Sequence, residues 1–318
     1  MSVDGVLNVL KPAGITSFAV VSRLRHLTGE PRVGHAGTLD PEATGVLVVC
    51  FGQGTRIVEF LAGARKSYKA EVELGVATDS YDASGKVVHR SEPFSVSREQ
   101  VEGVLRSFYG SVDQIPPMYS AIRYKGKRLY QLARKGIEVP RKPRRVQFFR
   151  LELLEWRFPT IVIEVECSGG TYIRSLAHDI GLALGCGAHL GKLIRLKSEP
   201  FDVSEAVPLA LLEEASTRGC WQCYLYAVDE VLLGWEAAIL DRESESLVAN
   251  GRSISLERSC VFSQSVDRCR AYSTDGRFLA VLRRKEGLWH PEKVFHLADG
   301  SDTENRCSFA DSGADEEP

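Results

Sequence analysis

The sequence predicts an α+β protein: strands and short helices mix irregularly over residues 1–228, and a small all-β region follows over 229–298. Three observations carry this. An apolar run at residues 46–51 and an alternating run at 67–74 read as a buried and a half-exposed strand, set among short capped helices. Short apolar segments bounded by turn signals crowd into the last third of the chain, which points to a small barrel. No repeat of fixed period appears, and no apolar run reaches the length of a membrane helix.

In order, residues 6–10 form a strand ending at Lys11-Pro12-Ala13-Gly14. Thr16 or Ser17 then caps a helix whose apolar side is Phe18, Val21, Leu24 and Leu27. A lysine closing a strand before such a turn is usually solvated, and that is the plain expectation for Lys11. In the strand 67–74, Tyr68, Ala70, Val72 and Leu74 share a face. Residues 78–85 are a polar turn. Ser97-Arg98-Glu99-Gln100 is a capping box, opening a helix that buries Val101, Val104, Leu105 and Phe108. Two strands follow at 146–156 and 160–167. Ser168-Gly169-Gly170-Thr171 turns the chain, with Thr171 capping a helix to about Leu184. Arg174 lies in its first turn, where the helix dipole disfavours a cation, so a specific acidic partner is expected. Residues 185–190 read as a turn, 193–196 as an apolar strand end and 208–215 as a short helix. The last region offers strands at 237–240, 260–262, 268–272, 278–283 and 293–297, with hairpin turns at Asn250-Gly251 and Asp275-Gly276.

The most informative stretch is Gly34-His35-Ala36-Gly37-Thr38-Leu39-Asp40-Pro41-Glu42-Ala43-Thr44-Gly45. Its glycines require tight bends or close backbone approach. Asp40 precedes Pro41, which keeps it out of helical geometry on a stiff segment. A lone carboxylate so placed, beside a buried strand, is where a scaffold presents a reactive group, although Asp-Pro with flanking glycines is also ordinary turn chemistry. A second signal is charge. From Arg123 to Arg150 there are eleven basic residues and one acid, Glu138, with Tyr119, Tyr124 and Tyr130 interleaved or adjacent. Such an excess of like charge suits a polyanion partner better than a solvated loop.

Composition excludes more than it selects. With 318 residues, 44% hydrophobic and 26% charged, the chain is ordinary for a globular protein with room for two cores. The net charge of −2 divides into −6 from Asp299 onward and +4 before it, and that acidic tail reads as disordered. Cys220-Trp221-Gln222-Cys223 has no second pair at metal-ligand spacing and no βαβ context, so the eight cysteines read as reduced thiols. The N-terminus lacks the features of a secretory signal, and a cytoplasmic location is expected.

Taken together and in order, Asn8-Val9-Leu10-Lys11-Pro12 with Gly14, the Gly34–Gly45 stretch, Lys66-Ser67-Tyr68, Pro116-Pro117-Met118-Tyr119-Ser120-Ala121, Gly169 to Arg174 and Gly185-Cys186-Gly187-Ala188-His189-Leu190 resemble the motifs of TruB-type tRNA pseudouridine synthases. The resemblance covers about residues 5–200. It implies a mixed, largely antiparallel sheet flanked by helices, a catalytic domain over 1–228 with a basic thumb-like insertion at 123–150, and, more weakly, a PUA-like barrel over 229–298. It also implies isomerisation of a uridine in the TΨC loop of tRNA, at position 55, without metal or organic cofactor, by a protein that binds the T-arm; a monomer is the default expectation. Asp40 would act on the extruded nucleotide, at C6 of the base or C1′ of the ribose. Arg174 would pair with Asp40 and favour its ionised form. Tyr68 would stack on the base near C5, Tyr172 and Leu193 would line the pocket, His35 would fill the gap left by the extruded nucleotide, and Lys11 would support the loop.

Two other classes stand beside this. A non-catalytic RNA-binding or tRNA-folding protein on the same scaffold would not need Asp40, Tyr68 and Arg174 together. A glycosidase acting on sugars wants two carboxylates flanking the bond, and the motifs offer one.

Overall fold

The computed structural model describes residues 3–91, 94–256 and 266–297. The expected strand at 260–262 and the acidic tail lie outside them.

Ten strands form one mixed sheet. Along its main path the order is Val207–Pro208, Gly5–Lys11, Thr44–Phe51, Ala188–Ser198, Lys66–Leu74, Thr160–Cys167, Arg144–Arg157 and Gly110–Gln114, with Val33–His35 and Phe201–Asp202 added at the side. All pairs are antiparallel except two. One of these joins Thr44–Phe51 to Ala188–Ser198 through only Ile194↔Thr44 and Arg195↔Gly45. At that narrow junction Gly45 takes φ +102°, and a Cβ there would lie 2.2 Å from the Arg195 carbonyl oxygen. The glycine is thus required by both backbone conformation and close approach.

The periodicities translate into packing. Lys66–Leu74 alternates buried and half-buried residues, with Tyr68, Ala70, Val72 and Leu74 inward. Residues 46–51 are wholly buried. Helix Arg98–Ser107 carries the capping box and buries Val101 and Leu105. Helix Ser17–Thr28 is capped by Thr16, whose Oγ1 accepts from Ala19 N at 3.0 Å. Its buried side is Val20, Val21 and Leu24; Phe18, expected inside, is 68% exposed. Helix Ile173–Ala183 begins after Tyr172, not Thr171, whose hydroxyl donates back to the Ser168 carbonyl. The turn expected at 185–190 ends early, because Ala188 already starts a strand.

The basic segment is folded and not a simple loop. A two-residue ladder, Arg123–Tyr124 with Lys127–Arg128, leads into a helix at Leu129–Ala133 around Met118, Leu129 and Leu132, and strand Arg144–Arg157 follows.

The C-terminal region is a four-stranded sheet in the order Ala237–Leu240, Arg268–Ser273, Phe278–Lys285, Leu288–Val294. Among the described residues no ladder joins its first strand to its last, so the expected barrel is not seen to close. The strand expected at 293–297 is Leu288–Val294. Asn250-Gly251, expected as a hairpin turn, ends helix Arg242–Ala249, which Asp241 caps by accepting from Ser244 N. This region packs on the main sheet: Val6, Val46 and Val48 share an apolar cluster with Val231, Leu232, Phe278, Val281 and Phe295.

Candidate active site

Asp40 and Arg174 lie 134 residues apart and meet as a two-point ion pair. Arg174 Nε is 2.8 Å from Asp40 Oδ2, and Nη2 donates to Oδ1 at 2.9 Å. Such bidentate pairing fixes the carboxylate plane as well as its charge. Nη2 also donates to the Tyr119 carbonyl at 2.9 Å, and Nη1 lies 3.4 Å from Asp82 Oδ2. The guanidinium is buried, with 7% of its side chain exposed, whereas 38% of the Asp40 side chain reaches solvent. The site therefore offers an outward-facing carboxylate held from behind.

Its protonation follows from opposed effects. Burial among protein atoms raises the Asp40 pKa above the ordinary value, Arg174 pulls it down, and Asp82 pushes it up again. Arg174 favours the ionised carboxylate as expected, but burial outweighs it.

The loop bearing Asp40 is fixed by two buried cations. Lys11, expected in solvent on pattern alone, is 0% exposed. Its Nζ donates to the carbonyls of Pro12, Pro41 and Ala43 at 2.7, 2.8 and 2.8 Å. Burial lowers its pKa to about 8, opposed by Glu42 and Asp40. Arg195, 1% exposed, donates to the carbonyls of Val46 at 2.6 Å and Gly37 at 3.0 Å, bracketing the loop at both ends. Ser17 adds a third tie, its hydroxyl donating to Leu39 O and accepting from Leu39 N.

Tyr68, 6% exposed, packs in one cluster with Leu39, Ala43 and Leu193, within electrostatic reach of the Arg195 guanidinium. Burial raises its pKa, so it is a neutral phenol. Tyr172, two residues before Arg174, is held through its backbone: its carbonyl accepts from the Gln114 side-chain amide and its N–H donates to the same amide's oxygen. His35 ends strand Val33–His35 on the approach to the loop; burial, then Arg195, lower its pKa, and its Nδ1 is buried without a hydrogen-bond partner. The structure thus gathers Asp40, Arg174, Tyr68, Leu193 and Lys11 about one loop, with Tyr172 and His35 at its borders.

Two residues of this constellation were not singled out by sequence. Asp82 sits in the polar turn, and Arg195 in what reads as an apolar strand end. Asp82 supplies the second carboxylate that the motifs lack, but its Oδ1 already accepts from Ser80 Oγ, Ser84 N and Ser84 Oγ, and its Oδ2 faces Arg174. It is engaged in holding the arginine and is not poised opposite Asp40 as a glycosidase requires. Among the described residues no group of three or more His, Cys, Asp or Glu is placed to hold a metal. A cavity of about 490 Å³ behind the loop, lined by Lys11, Arg23, Thr44 and Leu209 among others, does not include Asp40.

Ten of the eleven basic residues from Arg123 to Arg150 are exposed, and Arg141 is half-buried. Arg145 pairs with Asp113, and Arg150 with Glu152 and Glu164. Among the described residues the other nine have no acidic partner within ion-pair distance.

Residues 25–173 match the family model for the N-terminal domain of TruB family pseudouridylate synthases, and 174–239 match that for the tRNA pseudouridylate synthase B C-terminal domain. The chain is 43% identical over 300 residues to tRNA pseudouridine synthase B of Dehalococcoides mccartyi, covering 92% of this chain and 96% of that protein. It is 54% identical over 210 residues to the protein of that name from Syntrophotalea carbinolica, covering 66% and 69%. Among solved structures, a Cbf5-Nop10-Gar1 complex contains a chain that superposes with a TM-score of 0.72 at 25% identity, over 92% of this chain and 85% of that one. A chain of an H/ACA RNP bound to a substrate RNA containing 2′-deoxyuridine gives 0.70 at 24%, over 93% and 86%, a likeness of fold.

Proposed function

The chain belongs to the TruB family of pseudouridylate synthases and is an enzyme that forms pseudouridine in tRNA, and from that premise we propose that it isomerises the uridine at position 55, in the TΨC loop, by means of Asp40. The observation that carries this reading is the outward-facing Asp40 carboxylate held at two points by a buried arginine.

The reaction breaks the N1–C1′ bond, turns the uracil and joins C5 to C1′, after which the C5 proton leaves. Asp40 serves as the nucleophile, adding to C1′ or to C6 of the base. Arg174 keeps its lone pairs directed and opposes its protonation. The target nucleotide must leave the loop stack for its glycosidic bond to be reached. Tyr68 stacks on the base near C5, an interaction worth about 1–3 kcal/mol and independent of base identity. Leu193 and Tyr172 bound the pocket, and His35 occupies the gap in the RNA. Lys11 supports the loop through the Pro41 and Ala43 carbonyls it binds. The basic segment grips the T-arm backbone, residues 1–228 form the catalytic domain, and 229–298 add RNA contacts. The protein acts as a cytoplasmic monomer that needs no cofactor.

The test is tritium release from a T-arm transcript labelled at uridine C5. Wild type should release tritium and Asp40→Asn should not. No release by wild type overturns the enzymatic reading, and equal release by both overturns the role of Asp40.

A further inference from the structure

Tyr81 has φ +67°, a left-handed conformation that a bulky side chain rarely adopts. Such a residue persists only where its surroundings over-determine it. Here the surroundings are specific. The Tyr81 ring stacks on His178 with centroids 3.9 Å apart and planes at 10°. The backbone on either side of Asp82 is tied to the Ala188–Ser198 strand: Leu190 N donates to Tyr81 O at 2.9 Å, and Ala83 N donates to Leu190 O at 3.0 Å.

His178 and Arg174 stand four residues apart on helix Ile173–Ala183, and so share a face. Tyr81 and Asp82 are consecutive. On an extended chain their side chains would point to opposite sides. Yet Tyr81 meets His178 while Asp82 meets Arg174. The left-handed turn at Tyr81 breaks the alternation and lets two neighbouring residues grip one helix one turn apart. The His178 ring supplies the flat surface that Tyr81 is turned onto. Its Nδ1 is buried without a hydrogen-bond partner, so stacking is the contact its geometry serves.

We propose that the Tyr81–His178 stack is a positioning clamp: it holds the 78–85 turn so that Asp82 and the Ser80 carbonyl hold the Arg174 guanidinium in plane with the Asp40 carboxylate. This rests on the reading of Asp40 and Arg174 given above. Neither Tyr81 nor His178 touches the reacting atoms. They act through Arg174, which lies 3.4 Å from Asp82 Oδ2 and 3.5 Å from Ser80 O.

The clamp is tested with Tyr81→Gly, Tyr81→Phe, His178→Ala and His178→Phe, measuring T-arm affinity, melting temperature and single-turnover tritium release. Tyr81→Gly is chosen because glycine adopts a positive φ without penalty, so the backbone keeps its course while the ring is lost. Loss of the ring in Tyr81→Gly, or of the imidazole in His178→Ala, should slow release on the order of tenfold to a hundredfold while affinity stays within about twofold, since a misplacement near 1 Å suffices for such a loss. The phenylalanine variants, which keep a stacking ring, should restore most of the rate. Release by Tyr81→Gly and His178→Ala within about threefold of wild type, loss confined to RNA affinity, or equal loss in the phenylalanine variants would each overturn the clamp. A silent wild type would instead overturn the reading of the site and the clamp with it.

Discussion

Replacing Arg174 by methionine removes the cation and keeps most of the side-chain volume. The guanidinium makes two contacts to Asp40 at 2.8 and 2.9 Å, one to the Tyr119 carbonyl and one to Asp82, from a side chain that is 7% exposed. Breaking a buried ion pair by deleting one partner costs about 3–5 kcal/mol. Asp40 is 38% exposed, so water recovers part of that for the carboxylate, and about 3 kcal/mol is the reasoned figure. Without the cation Asp40 takes up a proton or turns away, and the ionised, directed carboxylate becomes a minor state by about that energy. At 1.36 kcal/mol per factor of ten, single-turnover tritium release should fall on the order of a hundredfold, with T-arm affinity little changed. Arg174→Lys keeps the charge but cannot span both oxygens, and should lose about tenfold. A methionine variant within about threefold of wild type, at equal RNA occupancy, would refute the claim that this pair prepares the nucleophile.

Two further outcomes follow from charge. Neutralising Arg141, Lys142, Arg144 and Arg145 together should weaken T-arm binding; because Arg145 already pairs with Asp113, the log–log salt slope should drop by about 3 and not 4, and an unchanged slope would count against the grip on RNA. The pH profile has a defined sign. In the proposed reaction Asp40 acts ionised, and burial raises its pKa, so the protonated, inactive form accumulates as pH falls through that raised value. The acid limb of the single-turnover rate, read by tritium release across pH, should therefore lie above the ordinary aspartate value of 3.8, and a limb at or below it would show that burial does not dominate.

The sequence made some parts of this site legible because they carry a local signature. Alternation over 67–74 placed Tyr68 on the inner face, and a cation in the first turn of a helix asked for an acid that Asp40 supplies. Periodicity reports a face, however, and not a partner. It could not separate Phe18, which is exposed, from Val20, which is buried, two residues apart on one helix. Arg195 sits in an apolar stretch, and its acceptors are not the nearby Glu199 but backbone carbonyls about 150 residues earlier. Carbonyl acceptors exist at every residue, so their convergence on a cation leaves no trace in composition. Asp82 was hidden for another reason: Asp within a Ser- and Gly-rich turn is expected to bond its own backbone, and it does so with Ser84 while also meeting Arg174.

The arrangement indicates what the ion pair is for. Arg174 lowers the Asp40 pKa against the rise that burial imposes, and its two contacts also set the direction of the carboxylate. The groups around the pair are likewise arranged to limit movement. Lys11 gathers the loop carbonyls of Pro41 and Ala43, Arg195 those of Gly37 and Val46, and Ser17 both backbone groups of Leu39, so the segment on either side of Asp40 is held by groups that find no comparable partner if it shifts. Arg174 is fixed from its other edge by Tyr119 and Asp82. A carboxylate bound by two contacts to a guanidinium that is itself bonded on its other edge, on a loop tied at several carbonyls, is constrained except at its exposed edge, and in the proposed reaction that edge is where a flipped nucleotide is met without first reorganising the protein.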